Sequence, residues 1–119
     1  MILADTSVWV QHLRVGIPAF EVALEEGEIC CHEIVLGELG AGNLARRRQS
    51  LELLVTLPRV RAVSFNECWR FLENQKLFGI GIGWNDIQLL AAARVARETF
   101  WTFDKRLDEA ARKMKVSRV

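Results

Sequence analysis

The feature that most limits the fold is the start of the chain, MILADTSVWV. Met1 to Ala4 is an apolar run too short for a helix, and it stops at Asp5. A short continuous apolar run bounded by polar residues reads as a buried strand. Similar runs recur at 28-EICCH-32, at Val60–Ser64 and at Phe100–Phe103. Segments of helical spacing lie between them. Strands that are apolar on both faces need helices over each face, which means a parallel sheet. The expected fold is therefore α/β, with a central, largely parallel sheet of four or five short strands flanked by helices, in one domain across residues 1–119.

The helices are marked by their ends. Ser7 is the expected N-cap of a helix running to about Arg14. Segment 18–27 starts at Pro18 and stops at Gly27, the usual helix asymmetry. Helices are also expected over 33–43, over 45–57 closed by Pro58, over 67–78 capped by Asn66, and over 105–114. Segment 84–98 is the strongest, with Ile87, Leu90, Ala91 and Val95 on one stripe. The loop 79-GIGIG-83 follows a helix instead of a strand, so it is no dinucleotide fingerprint.

Composition removes several function classes. Half of the residues are apolar, enough for a core, and the net charge is +1. No global field draws this chain to a polyanion, so any such attraction is local. The N-terminal run lacks the basic flank of a signal peptide, and no stretch approaches the ~20 apolar residues of a membrane span. A cytoplasmic protein is the expectation. Cys30, Cys31, His32 and Cys68 lack the C-x-x-C spacing of a zinc site, and adjacent cysteines make a poor disulfide framework. They read as small reduced core residues.

Four acids then stand out. Asp5 and Asp104 each follow a strand and precede a helix, and ligands bind an open parallel sheet at the strands' carboxyl ends. Each is also a good N-cap. Glu38, in 33-EIVLGELGAGN-43, shares a helical face with Ile34 and Val35, where a carboxylate is costly unless compensated. Gly37, Gly40 and Gly42 around it suggest a close approach to the backbone. Asp86 opens the alanine-rich helix, where an acid complements the dipole. Carboxylates gathered in one place stay ionised together only beside cations. All-oxygen ligation suits Mg²⁺ or Mn²⁺, which activate water and steady a phosphodiester.

These motifs carry a family resemblance. D-T-S-V-W, E-L-G-A-G, G-W-N-D-I-Q-L-L-A-A-A and W-T-F-D-K-R-L, spread from Asp5 to about Leu107, resemble the PIN-domain ribonucleases, and most of all the VapC toxins of toxin–antitoxin pairs. The resemblance implies a PIN fold, metal-dependent endonucleolytic cleavage of RNA, a VapB-like antitoxin and a homodimer. It places the family's acids on Asp5, Glu38, Asp86 and Asp104, with Ser7 and Thr102 as supporting hydroxyls. Water as the nucleophile leaves a 5′-phosphate and a 3′-hydroxyl. Two other readings remain at this stage: a receiver-like phosphoacceptor module, or a non-catalytic interaction protein on the same fold.

The remaining polar features have competing readings. Arg46, Arg47 and Arg48 are either phosphate contacts or a solvated helix start. Lys105 and Arg106 adjoin Asp104 and stand where substrate phosphates would pass, or serve helix solubility. Asp108 is either a further ligand or a surface partner of Arg112 at i+4. Of the four tryptophans, Trp84 beside Asp86 is the one expected outside the core.

Overall fold

A computed structural model describes residues 1–118. The elements run β1 (Ile2–Ala4), α1 (Thr6–Val15), α2 (Pro18–Glu25), β2 (Ile29–Cys30), α3 (Glu33–Ala41), α4 (Arg47–Thr56), α5 (Phe65–Asn74), α6 (Trp84–Ala96), β3 (Thr99–Trp101) and α7 (Lys105–Lys113). The three strands form one parallel sheet in the order β2-β1-β3. Ile2 and Leu3 sit opposite Ile29 and Cys30 on one side, and Ile2, Leu3 and Ala4 opposite Thr99, Phe100 and Trp101 on the other. The N-terminal apolar run is therefore the middle of the sheet. Leu3 and Ala4 are fully buried, as an all-parallel sheet requires.

The sheet has fewer strands than expected. Val60–Ser64 forms no strand, and the pairing there is a single bridge between Cys31 and Arg59. Two hydrogen bonds hold it, from Cys31 N to the Pro58 carbonyl and from Val60 N to the Cys31 carbonyl, each 2.8 Å. Only Val60 of this segment is buried, while Arg61 and Ala62 face solvent. A strand at a sheet edge needs more than one residue to bury before the ladder propagates. The opposite edge ends alike, with Ser117 bridged to Phe100.

Two caps differ from the expected ones. Ser64, not Asn66, caps α5, accepting from Glu67 N at 3.2 Å. Asp5, not Ser7, caps α1, accepting from Val8 N at 3.2 Å. In α6 the core face is wider than one stripe: Ile87 and the run Leu89–Ala93 are all buried, whereas Val95 is exposed. This helix packs against β3 and brings Asp86 near enough to Asp5 for their charges to interact. The cysteines are buried free thiols directed at backbone carbonyls, Cys30 to Ile2 and Cys31 to His32. Burial pushes both of those thiols up to about 11, which keeps them protonated.

Candidate active site

The site grows from the pairing of β1 with β3. The ladder continues one residue past β1, with Asp5 N donating to the Trp101 carbonyl at 3.0 Å. This fixes where both strands end and sets Asp5 beside Thr102. Two hydroxyls then stitch the ends together. Thr102 Oγ1 donates to Asp5 Oδ2 at 2.5 Å and accepts from Asp104 N at 3.0 Å. Ser7 Oγ donates to Asp5 Oδ1 at 2.6 Å and accepts from Phe103 N at 3.2 Å. Each hydroxyl thus bonds both segments.

Asp5 is the buried member of the set, at 5% exposure. Burial raises its carboxyl above the ordinary value, and the charge of Asp86 adds to the rise. The hydrogen bonds from Ser7, Thr102 and Val8 work against it. That balance describes a carboxylate that a nearby cation would relieve.

Glu38 differs from its expected environment. It is exposed, and its Oε1 accepts from Thr6 Oγ1 at 2.6 Å. The costly burial falls on Asp5 instead. Among the flanking glycines, nothing stands within 4 Å of a Cβ at Gly37 or Gly40, and at Gly42 the Glu38 carbonyl would stand 3.4 Å away, an ordinary contact. Thr6 is the site residue that the sequence reading missed. Its signal was the run Asp5–Thr6–Ser7, three polar residues directly after a buried strand.

Asp86 sits in the first turn of α6 and accepts from Gly83 N at 3.0 Å through Oδ2. Asp104 caps α7, with Oδ1 accepting from Leu107 N at 3.1 Å. Capping uses one oxygen of each, so the other oxygen of each carries no hydrogen bond among the described residues. Asp108 is engaged elsewhere, accepting from Arg112 Nε at 2.8 Å and from Ser117 Oγ at 3.1 Å. Arg47 directs its guanidinium to the Gly40 carbonyl, at 2.8 and 3.2 Å, and so ties α4 to the end of α3. His32, held neutral by burial, caps α3 by accepting from Ile34 N at 3.0 Å. Trp9 and Trp101 are core, while Trp69 is half exposed and packs with Phe65 and Trp84 in an outward-facing cluster.

Among the described residues, no three His, Cys, Asp or Glu side chains are gathered closely enough to cage a metal ion. Mg²⁺ does not need such a cage, since it binds through one or two carboxylates and keeps several waters. A buried carboxylate, an adjacent acid that repels it and two uncommitted carboxylate oxygens fit a hard divalent cation by their chemistry.

Comparison with known proteins agrees with this architecture. The PIN domain family model matches residues 2–113. The chain is 39% identical over 111 residues to the ribonuclease VapC32 of Mycobacterium tuberculosis strain CDC 1551 / Oshkosh, spanning 92% of this chain and 90% of that protein. The match to VapC32 of strain ATCC 25618 / H37Rv is the same. The fold is similar to the crystal structure of PAE2754 from Pyrobaculum aerophilum, with a TM-score of 0.69 at 13% identity, over 92% of this chain and 83% of that one. The chain belongs to the PIN-domain family, as a ribonuclease of the VapC type.

Proposed function

We propose that this protein is the toxin of a type II toxin–antitoxin pair, an endoribonuclease that hydrolyses RNA phosphodiesters with the help of Mg²⁺ or Mn²⁺. The observation that carries this reading is the buried Asp5 carboxylate, held by two hydroxyls at the junction of β1 and β3. Asp5, Glu38, Asp86 and Asp104 would hold the ion. When bound, a divalent cation supplies an activated water and neutralises charge on the phosphodiester. The protein's own part is positional. Thr102 and Ser7 fix the Asp5 carboxylate so that its orientation is not left to solvent. Thr6 holds Glu38 against the same strand end. Asp86 and Asp104 stand at the starts of α6 and α7, where each carboxylate accepts from a backbone N–H of the helix start.

The reading extends to partners. The RNA strand would meet Lys105 and Arg106 beside Asp104, and Arg46 to Arg48 offer a further basic surface. A VapB-like antitoxin would silence the toxin by engaging the four acids. A homodimer is supported by the exposed aromatic rings of Phe65 and Trp69, which pack against the partly buried Trp84 and offer apolar surface of the sort buried between subunits. No helix among the described residues is long and apolar enough to cross a membrane. The protein would act in the cytoplasm as a single domain.

The test is cleavage of RNA by the purified protein and by Asp5→Asn. Wild type should yield fragments with 5′-phosphate ends, stop in EDTA and recover with Mn²⁺ or Mg²⁺. Asp5→Asn should fold, judged by circular dichroism, and cut no faster than buffer. Undiminished cleavage by wild type in EDTA, or by folded Asp5→Asn, would sink the assignment.

A further inference from the structure

A cavity of about 310 Å³ lies between the end of α5, the loop before α6 and α7. Leu77, Ile80 and Met114 give it an apolar floor, and Lys76, Arg106 and Lys113 stand on its rim with one acid, Glu109. On a chain whose net charge is +1, three cations against one acid is a local concentration. None of the three cations makes an ion pair or a side-chain hydrogen bond among the described residues. Cations crowded together without partners repel one another, so they favour an anion.

The loop is shaped to hold one of them. Gly81 has φ +87, and a Cβ there would stand 2.0 Å from Arg106 Nη1. Only glycine adopts that backbone without strain and leaves room for the guanidinium. Arg106 is thereby held against the loop whose last residue, Gly83, donates to Asp86. It lies two positions after Asp104. Arg106 and Lys113 are seven residues apart on α7, so they share a face ~10 Å apart along it. That span suits a run of backbone, not a single ion.

We propose that this cavity is a phosphate-binding subsite for the RNA strand next to the cleaved bond. Lys76, Arg106 and Lys113 contact successive phosphates, and the apolar floor receives a ribose or base. A strand leaving the acids past Asp104 meets Arg106 first. This rests on the ribonuclease reading above, and the experiment separates the two.

The probe is a fluorescein-labelled single-stranded RNA 20-mer of mixed sequence, bound in EDTA to suppress cleavage and followed by anisotropy against KCl concentration. Lys76→Ala/Lys113→Ala should weaken binding and make the salt dependence shallower, by about 1.4 in log–log slope for two phosphate contacts on a single strand. Glu109→Gln should tighten binding, an effect that misfolding cannot mimic. Affinity and slope equal to wild type in the double variant, with wild type cleaving RNA in metal, would overturn the subsite and leave the ribonuclease reading standing. Weakened antitoxin capture with unchanged RNA binding would reassign the groove and equally overturn it. A wild type that neither binds nor cuts RNA would overturn both.

Discussion

The two sides of the site are built differently. On one side Asp5 is buried, and each of its oxygens receives a hydroxyl, from Ser7 and from Thr102. On the other, Glu38 is exposed and receives a single hydroxyl from Thr6. The first is fixed by sheet pairing and cannot turn without breaking a buried network. The second sits on the surface of α3 and can move at little cost. On the proposed function this contrast divides the labour, with Asp5 as the fixed carboxylate and Glu38 as the adjustable one.

Thr102→Val should break the rigid side most severely. It removes the donor to Asp5 Oδ2 and the acceptor for Asp104 N in one substitution, at a buried position. Leaving such groups unpaired costs about 1–3 kcal/mol each. Misdirecting the carboxylate proposed to hold the metal should lower cleavage ~10–100-fold. Urea unfolding and cleavage rates measure both losses, and Thr102→Ser should restore most of each. Normal stability and rate in the valine variant would mean that Asp5 does not depend on the network.

The same side should respond to pH. Burial holds the folded Asp5 carboxyl above its ordinary 3.8, so the folded protein takes up that proton more readily than the unfolded chain. Ionised Asp5 therefore costs stability at neutral pH. The cost is relieved as pH falls through the raised pKa and is gone below the unfolded value. In EDTA, wild type should gain stability relative to Asp5→Asn as pH is lowered from neutral to about 4. A difference that is flat, or of opposite sign, would mean that the three hydrogen bonds outweigh burial.

Glu38→Gln sharpens the comparison with the smallest effect on folding. An acid on the buried stripe would have been a source of strain, and its neutralisation would stabilise the metal-free protein. Exposed Glu38 predicts a change within about 0.5 kcal/mol in EDTA, because an amide oxygen can still accept from Thr6. Cleavage should nonetheless fall, with a higher demand for Mn²⁺. A stability gain well above that range would return Glu38 to the strained class.

Much of this was legible in the sequence. The run Met1–Ala4 marked a short buried strand, because residues apolar on both faces need cover on both, while its place in the middle of the sheet came from the pairing. Asp5 and Asp104 were legible as acids directly after apolar strand runs, and Asp86 as the first-turn acid of the G-W-N-D motif in the family resemblance. Element boundaries moved by a few residues wherever two hydroxyl or acid residues competed for one cap, as with Asp5 against Ser7 and Ser64 against Asn66. Helical spacing could not decide the environment of Glu38. The stripe says which residues share a face, and what covers that face is a neighbouring element far away in the chain. Tertiary structure alone decided that Val60–Ser64 stays out of the sheet, since a strand exists only where a partner edge and a buried face coincide. It alone brought Thr102 within 2.5 Å of Asp5, a pair 97 residues apart joined by the β1–β3 ladder. It also put Arg106 over Gly81, a close approach that no local pattern records because it joins the start of one helix to the loop before another.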